Sequence, residues 1–132
     1  YEYVHDEVGY NYRMPNLNAA LVCAQLEQLN AFTDIKRKRA TQYEHFFEGS
    51  AIRFRTENEH TQVNYWLMCA ELEDKEARNA FLKETNENGV MTRPIWQLMH
   101  KLPMYEHCYR DAQQNAEFLE DRIVNIPSGV RI

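Results

Sequence analysis

The five residues Gly9, Tyr10, Asn11, Tyr12 and Arg13 stand shortly before a strong helix start, and their types suit the binding of an anion. Glycine frees the backbone, asparagine tolerates turn geometry, and arginine carries a permanent positive charge. The free backbone N–H groups and the positive dipole at a helix N-terminus favour a phosphate at the same place. The same residues also suit a tight turn with its aromatic side chains in the core, so the pattern alone leaves both interpretations open.

A second group of candidate binding residues is Arg93, Trp96 and His100, which lie within one stretch of eight residues. Pro94 holds the residue before it in an extended conformation. Arginine supplies paired hydrogen-bond donors, tryptophan supplies a stacking face and histidine supplies a further donor, so the group suits a phosphorylated or sugar ligand. The alternative is an arginine at a strand edge, a tryptophan in the core and a histidine on the surface.

The residues of the chain do not add up to a complete catalytic group. A lysine that forms a Schiff base needs a pocket that depresses its pKa and room for an aldehyde ring, and no lysine here stands in such a sequence context. The sequence contains no glycine-rich phosphate loop, GxSxG elbow or HExxH helix. The cysteines Cys23, Cys69 and Cys108 are odd in number and lack zinc spacing, so we expect no metal site.

Length and composition indicate one acidic globular domain over residues 1–132. The chain is 44% hydrophobic, and 15 basic against 20 acidic residues give a net charge of −5. That charge argues against nucleic acid or an anionic membrane as a partner. Because the sequence shows no signal peptide or spanning segment and its cysteines suit a reducing compartment, we expect a cytoplasmic protein. A start at Tyr1 rather than Met is typical of a piece of a larger protein.

Hydrophobic periodicity predicts an α+β fold, with a small, mostly antiparallel sheet, helices packed on it and one long N-terminal helix. Asn16 or Asn18 is expected to cap that helix, and Gly49 to end it. Its length of roughly 45 Å suggests that it also packs on something outside this chain. Residues 63–72 are apolar on both alternating faces, which predicts a central strand buried on two sides. The predicted elements are a helix over 16–47, strands over 51–55 and 63–72, a helix over 75–88 between Asp74 and Gly89, a strand over 89–96, a helix over 110–122 and a strand over 123–126.

Taken in order, these motifs resemble the DegT/DnrJ/EryC1/StrS family of aminotransferases over essentially the whole chain. The stretch from Gly9 to Leu26 is similar to the family signature GYNYRM…N..AA….QL. The segment RPIW…LMHKLPMY resembles the corresponding segment of members that aminate UDP-linked amino sugars, such as those of the bacillosamine and legionaminic acid pathways. Further matches are Lys38-Arg39 with Tyr43, Gly89-Val90, Arg93-Pro94, His100 with Tyr105, and the closing Asn125-Ile126-Pro127-Ser128.

The resemblance implies the small C-terminal domain of a fold-type-I aminotransferase. Pyridoxal 5′-phosphate (PLP), its lysine, its acidic partner and its stacking aromatic residue would belong to a large domain outside this chain. The parent would be a homodimer that moves an amino group from glutamate to a nucleotide-linked keto sugar for polysaccharide or glycan synthesis, and the 132 residues alone would be inactive. Asn11 is similar to the asparagine that reaches the PLP phosphate of the partner subunit, with Tyr10 and Arg13 beside it. Arg93, Trp96 and His100 would lie near the sugar nucleotide.

Two other interpretations stay open. One is an interaction module that keeps the shape of the domain without its chemistry, and the other is a regulatory protein of the same family. The upstream sequence discriminates the enzyme from the interaction module, because an enzyme needs the lysine-bearing domain before Tyr1.

Overall fold

The computed structural model describes residues 4–130, and residues 1–3 and 131–132 of the expected domain lie outside the described residues. The element order is the expected one, except that the first helix is divided. The helices are α1 (Asn16–Leu26), α2 (Leu29–Phe47), α3 (Lys75–Glu87) and α4 (Gln114–Glu120), the strands are β1 (Arg53–Phe54), β2 (Met68–Glu71), β3 (Arg93–Pro94) and β4 (Ile123–Ile126), and two short 3₁₀ turns span Met99–Lys101 and Pro103–Tyr105.

The four strands form one antiparallel sheet in the order β1-β2-β4-β3. The interior strands pair Met68 with Ile126 and Ala70 with Val124, and the side chains of Met68, Ala70 and Val124 are completely buried. Pro94 has no N–H to donate, and it lies on the edge strand β3, where a proline is tolerated. These observations confirm the α+β class and the antiparallel sheet.

The second strand is shorter than expected and is buried on one face only. The prediction of a strand over residues 63–72 was wrong for its first five residues. Met68 and Ala70 are buried, whereas the alternate residues Cys69 and Glu71 are half-buried. The ladder starts late because Tyr65 adopts a positive φ of 50° and the Asn64 side chain accepts a hydrogen bond from the Trp66 N–H at 2.9 Å. An Asx turn therefore replaces the start of the strand.

The long first helix is interrupted at Glu27 and Gln28, so the prediction of one continuous helix was wrong. The Gln28 N–H bonds to the carbonyl of Gln25, three residues back, instead of continuing the four-residue ladder. The expected asparagine cap was also wrong. Pro15 is the N-cap, and Asn16 and the residues after it are already helical, so no side chain caps this end.

The other helix ends follow the sequence signals. The Asp74 carboxylate accepts a hydrogen bond from the Ala77 N–H at 2.8 Å, which confirms Asp74 as the cap of α3. Gly49 and Gly89 have φ values of 74° and 77°, the left-handed geometry that ends a helix at little steric cost. The helix expected over 110–122 begins only at Gln114, because Gln113 before it is left-handed, with φ 46°.

Helix α2 packs on the sheet through a run of aromatic rings. The Tyr43 ring stacks on Phe54 at 5.8 Å between ring centroids, and Phe54 stacks on Tyr65 at 6.5 Å. Ala40 and Phe47 of the same helix are buried in this core. By contrast, α1 has no buried residue in the described structure, and its Leu17 is 80% exposed. The expectation that the long first helix also packs on something outside this chain stays a prediction, and the exposure of α1 leaves a surface for such packing.

A polar cluster joins α2 to the loop before β2. The Glu57 carboxylate accepts from both terminal nitrogens of Arg37 at 3.3 Å and from the Val63 N–H at 2.9 Å. Arg37 also donates to the Val63 carbonyl at 2.6 Å and lies over the Tyr65 ring. The Val63 N–H and then the Arg37 guanidinium lower the pKa of Glu57 below its ordinary value of 4.5.

We expect Glu57→Gln to remove part of the acid sensitivity of the protein. A carboxyl group with a lowered folded-state pKa stabilises the fold above about pH 4.5 and loses that contribution as the pH falls through the folded-state value. The variant should therefore be less stable than wild type at neutral pH, and the difference should shrink below pH 4.5. Urea unfolding midpoints over a pH series measure this. The exposed Glu59→Gln is the control, and parallel curves for wild type and Glu57→Gln would contradict the prediction.

Candidate functional site

One groove of about 650 Å³ lies beside β3 and is bordered by α3, α4, the segment before β2 and the end of β4. Its walls carry more positive than negative side chains, and two tryptophans, Trp66 and Trp96, lie among them with 68% and 53% of their surface exposed. Exposed tryptophans in a concave site are typical of ligand-binding positions. The charged lining residues are Lys75, Arg78, Arg93, Lys101, Glu120 and Asp121.

The Glu120 carboxylate fixes one wall of the groove. It is 9% exposed, and it accepts from the Leu98 N–H at 3.0 Å and from the Lys101 ammonium group. The hydrogen bond to Glu120 is the main reason that the pKa of Lys101 is raised. The Glu120 main-chain carbonyl accepts from Arg78 at 2.6 Å. Glu120 therefore holds two of the groove cations and the chain after β3.

Arg93 and Trp96 line the same groove, so the structure brings together two of the three expected substrate residues. Arg93 pairs with Asn125 in the sheet register, and one of its nitrogens lies 3.4 Å from the Met91 sulfur. The Asn125 amide donates to the Pro94 carbonyl at 3.4 Å. Both tryptophan and arginine thus come from backbone anchored on strand β4.

His100 does not line this groove. Its side chain is 14% exposed, and its Nε2 lies 3.4 Å from the Glu117 carboxylate. It belongs to a second depression of about 410 Å³, which Tyr105 and Tyr109 also line. The structure therefore places His100 apart from Arg93 and Trp96, and a shared role remains a prediction.

The segment with Tyr10, Asn11 and Arg13 is exposed and does not line the groove. The Asn11 side-chain oxygen accepts from the Arg13 N–H at 3.2 Å, and Arg13 has a φ of 110°. The expected turn is present, whereas the interpretation that put the aromatic residues in the core was wrong, since Tyr10 and Tyr12 are 74% and 84% exposed.

The groups at this turn fit a phosphate. With its oxygen engaged, Asn11 keeps its amide N–H₂ as a donor, and the Arg13 guanidinium and the N–H groups of the first turn of α1 are donors only. A set made of donors and positive charge is suited to an anion rather than to a cation.

The sequence did not indicate Trp66, which lines the groove, or Lys36, which supports the loop that carries Trp66. Trp66 falls in the stretch expected as strand, and only Asn64, two residues earlier, signals a turn. Lys36 donates to the carbonyls of Tyr65, Trp66 and Ser128 at 3.2, 3.3 and 2.6 Å. Burial, and then the neighbouring Arg39, lowers the pKa of Lys36.

Residues 4–130 contain no group of three or more His, Cys, Asp or Glu side chains that could hold a metal ion. In that same part of the chain, no helix has the length and apolar character needed to cross a membrane.

The model of the DegT/DnrJ/EryC1/StrS aminotransferase family matches residues 1–132. The chain belongs to this family, whose aminotransferases bind PLP. It is 34% identical over 127 residues to GDP-perosamine synthase of Escherichia coli O157:H7, in a match that covers 96% of this chain and 34% of that protein. The chain thus spans about one third of the length of that relative.

Solved structures share the fold. The sugar aminotransferase CalS13 from Micromonospora echinospora matches with a TM-score of 0.74 at 19% identity, over 92% of this chain and 32% of that one. An Escherichia coli GDP-4-keto-6-deoxy-D-mannose-3-dehydratase with bound hydrated PLP matches with a TM-score of 0.70 at 19% identity, over 91% and 32%. Since a dehydratase has this fold as well, the fold by itself does not determine the reaction.

We expect Glu120→Ala to lower the free energy of unfolding by about 1–3 kcal/mol, because it leaves the Leu98 N–H and the Lys101 ammonium without their acceptor. Urea unfolding at neutral pH measures the loss. The matched control is Glu117→Ala on the same helix, whose carboxylate is 49% exposed and pairs with His100. Because the Glu117 carboxylate is half-exposed, its loss is expected to cost roughly 0–1 kcal/mol, so equal losses in the two variants would contradict the assigned role of Glu120.

Proposed function

We propose that this chain is the small C-terminal domain of a PLP-dependent aminotransferase that transfers an amino group from glutamate to a nucleotide-linked keto sugar. The observation that carries the proposal is the family match over residues 1–132, together with a match to about one third of a longer relative. The parent protein is a cytoplasmic homodimer, and its product is a building block for a cell-surface polysaccharide or glycan.

Three of the five lysines of this chain are held in other contacts, which supports a catalytic lysine elsewhere in the parent protein. Lys36, whose pKa is lowered, already donates to three carbonyl oxygens. Lys101 is held by Glu120, and Lys75 lies 3.2 Å from Asp121. A lysine nucleophile needs a free amine beside the cofactor ring. We therefore propose that the 132 residues alone transfer no amino group.

The turn at Asn11 is the proposed contact with the cofactor phosphate. When bound, PLP supplies the electron sink of the reaction, while the protein supplies binding and orientation. The Asn11 amide donates to the phosphate, and the Arg13 charge and Tyr10 support that position. The family resemblance implies that the cofactor it reaches is that of the partner subunit, and the exposure of this segment in the single chain leaves it accessible for that contact.

The groove is the proposed binding site for the sugar nucleotide. Arg93 supplies paired donors that suit a diphosphate, and Trp96 supplies a flat apolar face. His100 lies apart from the groove. In this proposal, it contacts the substrate only if the chain after β3 approaches the active site of the parent protein. The name of the Escherichia coli relative refers to a GDP-linked sugar, whereas the sequence resembles members that act on UDP-linked sugars. We therefore propose a nucleoside diphosphate as the ligand without specifying its base.

The second candidate is a non-catalytic interaction or regulatory module with the same fold. The exposed and uncharged α1 favours it, because an uncovered apolar helix is typical of a surface that binds another protein.

The absorbance of the full-length gene product with PLP tests the proposal. We expect a bound-cofactor band that changes when glutamate is added, and Asn11→Ala should weaken cofactor retention by about tenfold or more, because a charge-assisted hydrogen bond is lost. Dialysis followed by the absorbance of the retained cofactor measures the effect. Asn30→Ala, at an exposed position of α2, is the control.

A full-length product that shows no cofactor band would leave the module as the better assignment. A band without a glutamate-dependent change, but with loss of water from a keto sugar, would instead favour a dehydratase.

A further inference from the structure

Trp66 is a large apolar side chain that the fold leaves exposed at the mouth of the groove. It is 68% exposed, although its neighbours Tyr65 and Met68 are buried at 8% and 0%. Burying such a ring would stabilise the fold, so a position that keeps it exposed has a cost in stability. The structure keeps it exposed by two separate devices.

The first device is a strained turn. Tyr65 lies in the left-handed region with φ 50°, which costs a residue with a bulky side chain on the order of 1–3 kcal/mol. The turn places the Tyr65 ring on Phe54 in the core and lets the Asn64 side chain accept from the Trp66 N–H at 2.9 Å. As a result, the next side chain lies on the groove side instead of in the sheet.

The second device is a set of donors on the main chain of Trp66. The Trp66 carbonyl accepts from the Lys36 ammonium at 3.3 Å and from the Ser128 hydroxyl at 2.9 Å. Lys36 also donates to the carbonyls of Tyr65 at 3.2 Å and Ser128 at 2.6 Å. One ammonium group therefore ties the loop that carries Trp66 to the segment after β4 and to helix α2.

We propose that Trp66 is a ligand-contacting residue on which the base of a nucleoside diphosphate stacks, and that Lys36 is its positioning residue. A rigidly held, exposed indole suits the flat face of a base, and such stacking accepts any base. The groove cations, Arg93 among them, suit the adjoining diphosphate. This inference rests on the proposed function, since it takes the nucleotide part of the proposed substrate as the ligand.

The test is equilibrium binding of GDP and of UDP, without sugar, to the full-length protein by calorimetry. Base–aromatic stacking predicts that Trp66→Ala raises both dissociation constants by about tenfold or more, whereas Trp66→Phe, which keeps an aromatic ring, raises them by less. Lys36→Met should raise them to an intermediate extent, Lys36→Arg should restore part of the affinity, and the exposed Lys38→Met on the same helix should have no effect.

A spectroscopic signal separates positioning from general loss of structure. In protein labelled with 5-fluorotryptophan, the ¹⁹F resonance that disappears in Trp66→Phe belongs to Trp66. We expect it to shift when GDP or UDP is added, and to be broadened or split in Lys36→Met but not in Lys38→Met. Trp96 provides a second resonance from the same groove for comparison.

The inference is overturned if Trp66→Ala binds GDP and UDP as tightly as wild type. It is also overturned if the Trp66 resonance does not shift with either nucleotide, as it would not if another part of the protein covered the ring. The glutamate-dependent absorbance change of wild type is measured separately. If wild type shows this absorbance change and Trp66→Ala binds nucleotide as wild type does, this inference is wrong and the proposed function stands. If wild type lacks the absorbance change but nucleotide binding depends on Trp66, the proposed function is wrong and the groove remains a nucleotide site.

Discussion

Side chains of α2 supply hydrogen-bond donors to main-chain carbonyls that no strand of the sheet pairs. Lys36 donates to Tyr65, Trp66 and Ser128, and the Tyr43 hydroxyl donates to the Pro127 carbonyl at 3.0 Å. A carbonyl that is partly shielded from water costs the fold free energy if it has no donor, so these bonds help the backbone to leave the sheet at both places. The shape of the groove depends on this constraint, because the two segments so held form part of its wall.

The charges around the groove are held in a similar way. Arg78, Lys75 and Lys101 each have a partner on or just after α4, so their positions follow from the packing of that helix. Fixed cations stabilise an anion with little reorganisation, because the cost of ordering them is already met when the protein folds. The excess of positive charge is therefore a local property of a chain whose net charge is −5.

The sequence predicted best where one local signal decides the structure. Strand β4 was predicted to the residue, and the Asp74 cap and the glycines after α2 and α3 act where their chemistry indicates. Errors occurred where local signals conflicted with each other. The apolar run over 63–72 has the composition of a buried strand, yet Asn64 and the left-handed Tyr65 turn its first half into a loop. Hydrophobic composition could not reveal that turn, because the donor that supports it, Lys36, lies about thirty residues earlier in the chain.

The same reasoning explains the partial success with the site. Arg93 and Trp96 were predicted as neighbours of a ligand, and one extended segment brings both to the groove. His100 is close in sequence, but it lies within the 3₁₀ turn over Met99–Lys101 that follows that segment, and its ring lies against Glu117. Spacing in sequence predicts a common site only while the backbone keeps a regular period. Once the chain leaves the strand, the direction of each side chain depends on contacts such as that of Glu120 with the Leu98 N–H.

The fold and the groove bear on different aspects of the function. An aminotransferase and a dehydratase share this fold, so the reaction has to be decided by groups that act on the cofactor. In the proposed function, the residues of this domain that face the groove determine which ligand is held and in which orientation. The left-handed backbone of Tyr65 and the exposure of Trp66 are costly for stability, although the Tyr65 ring itself packs in the core. If Trp66 contacts a nucleotide as we propose, ligand binding accounts for this cost at one wall of the groove, and the substrate specificity of the parent protein is to be sought in this domain.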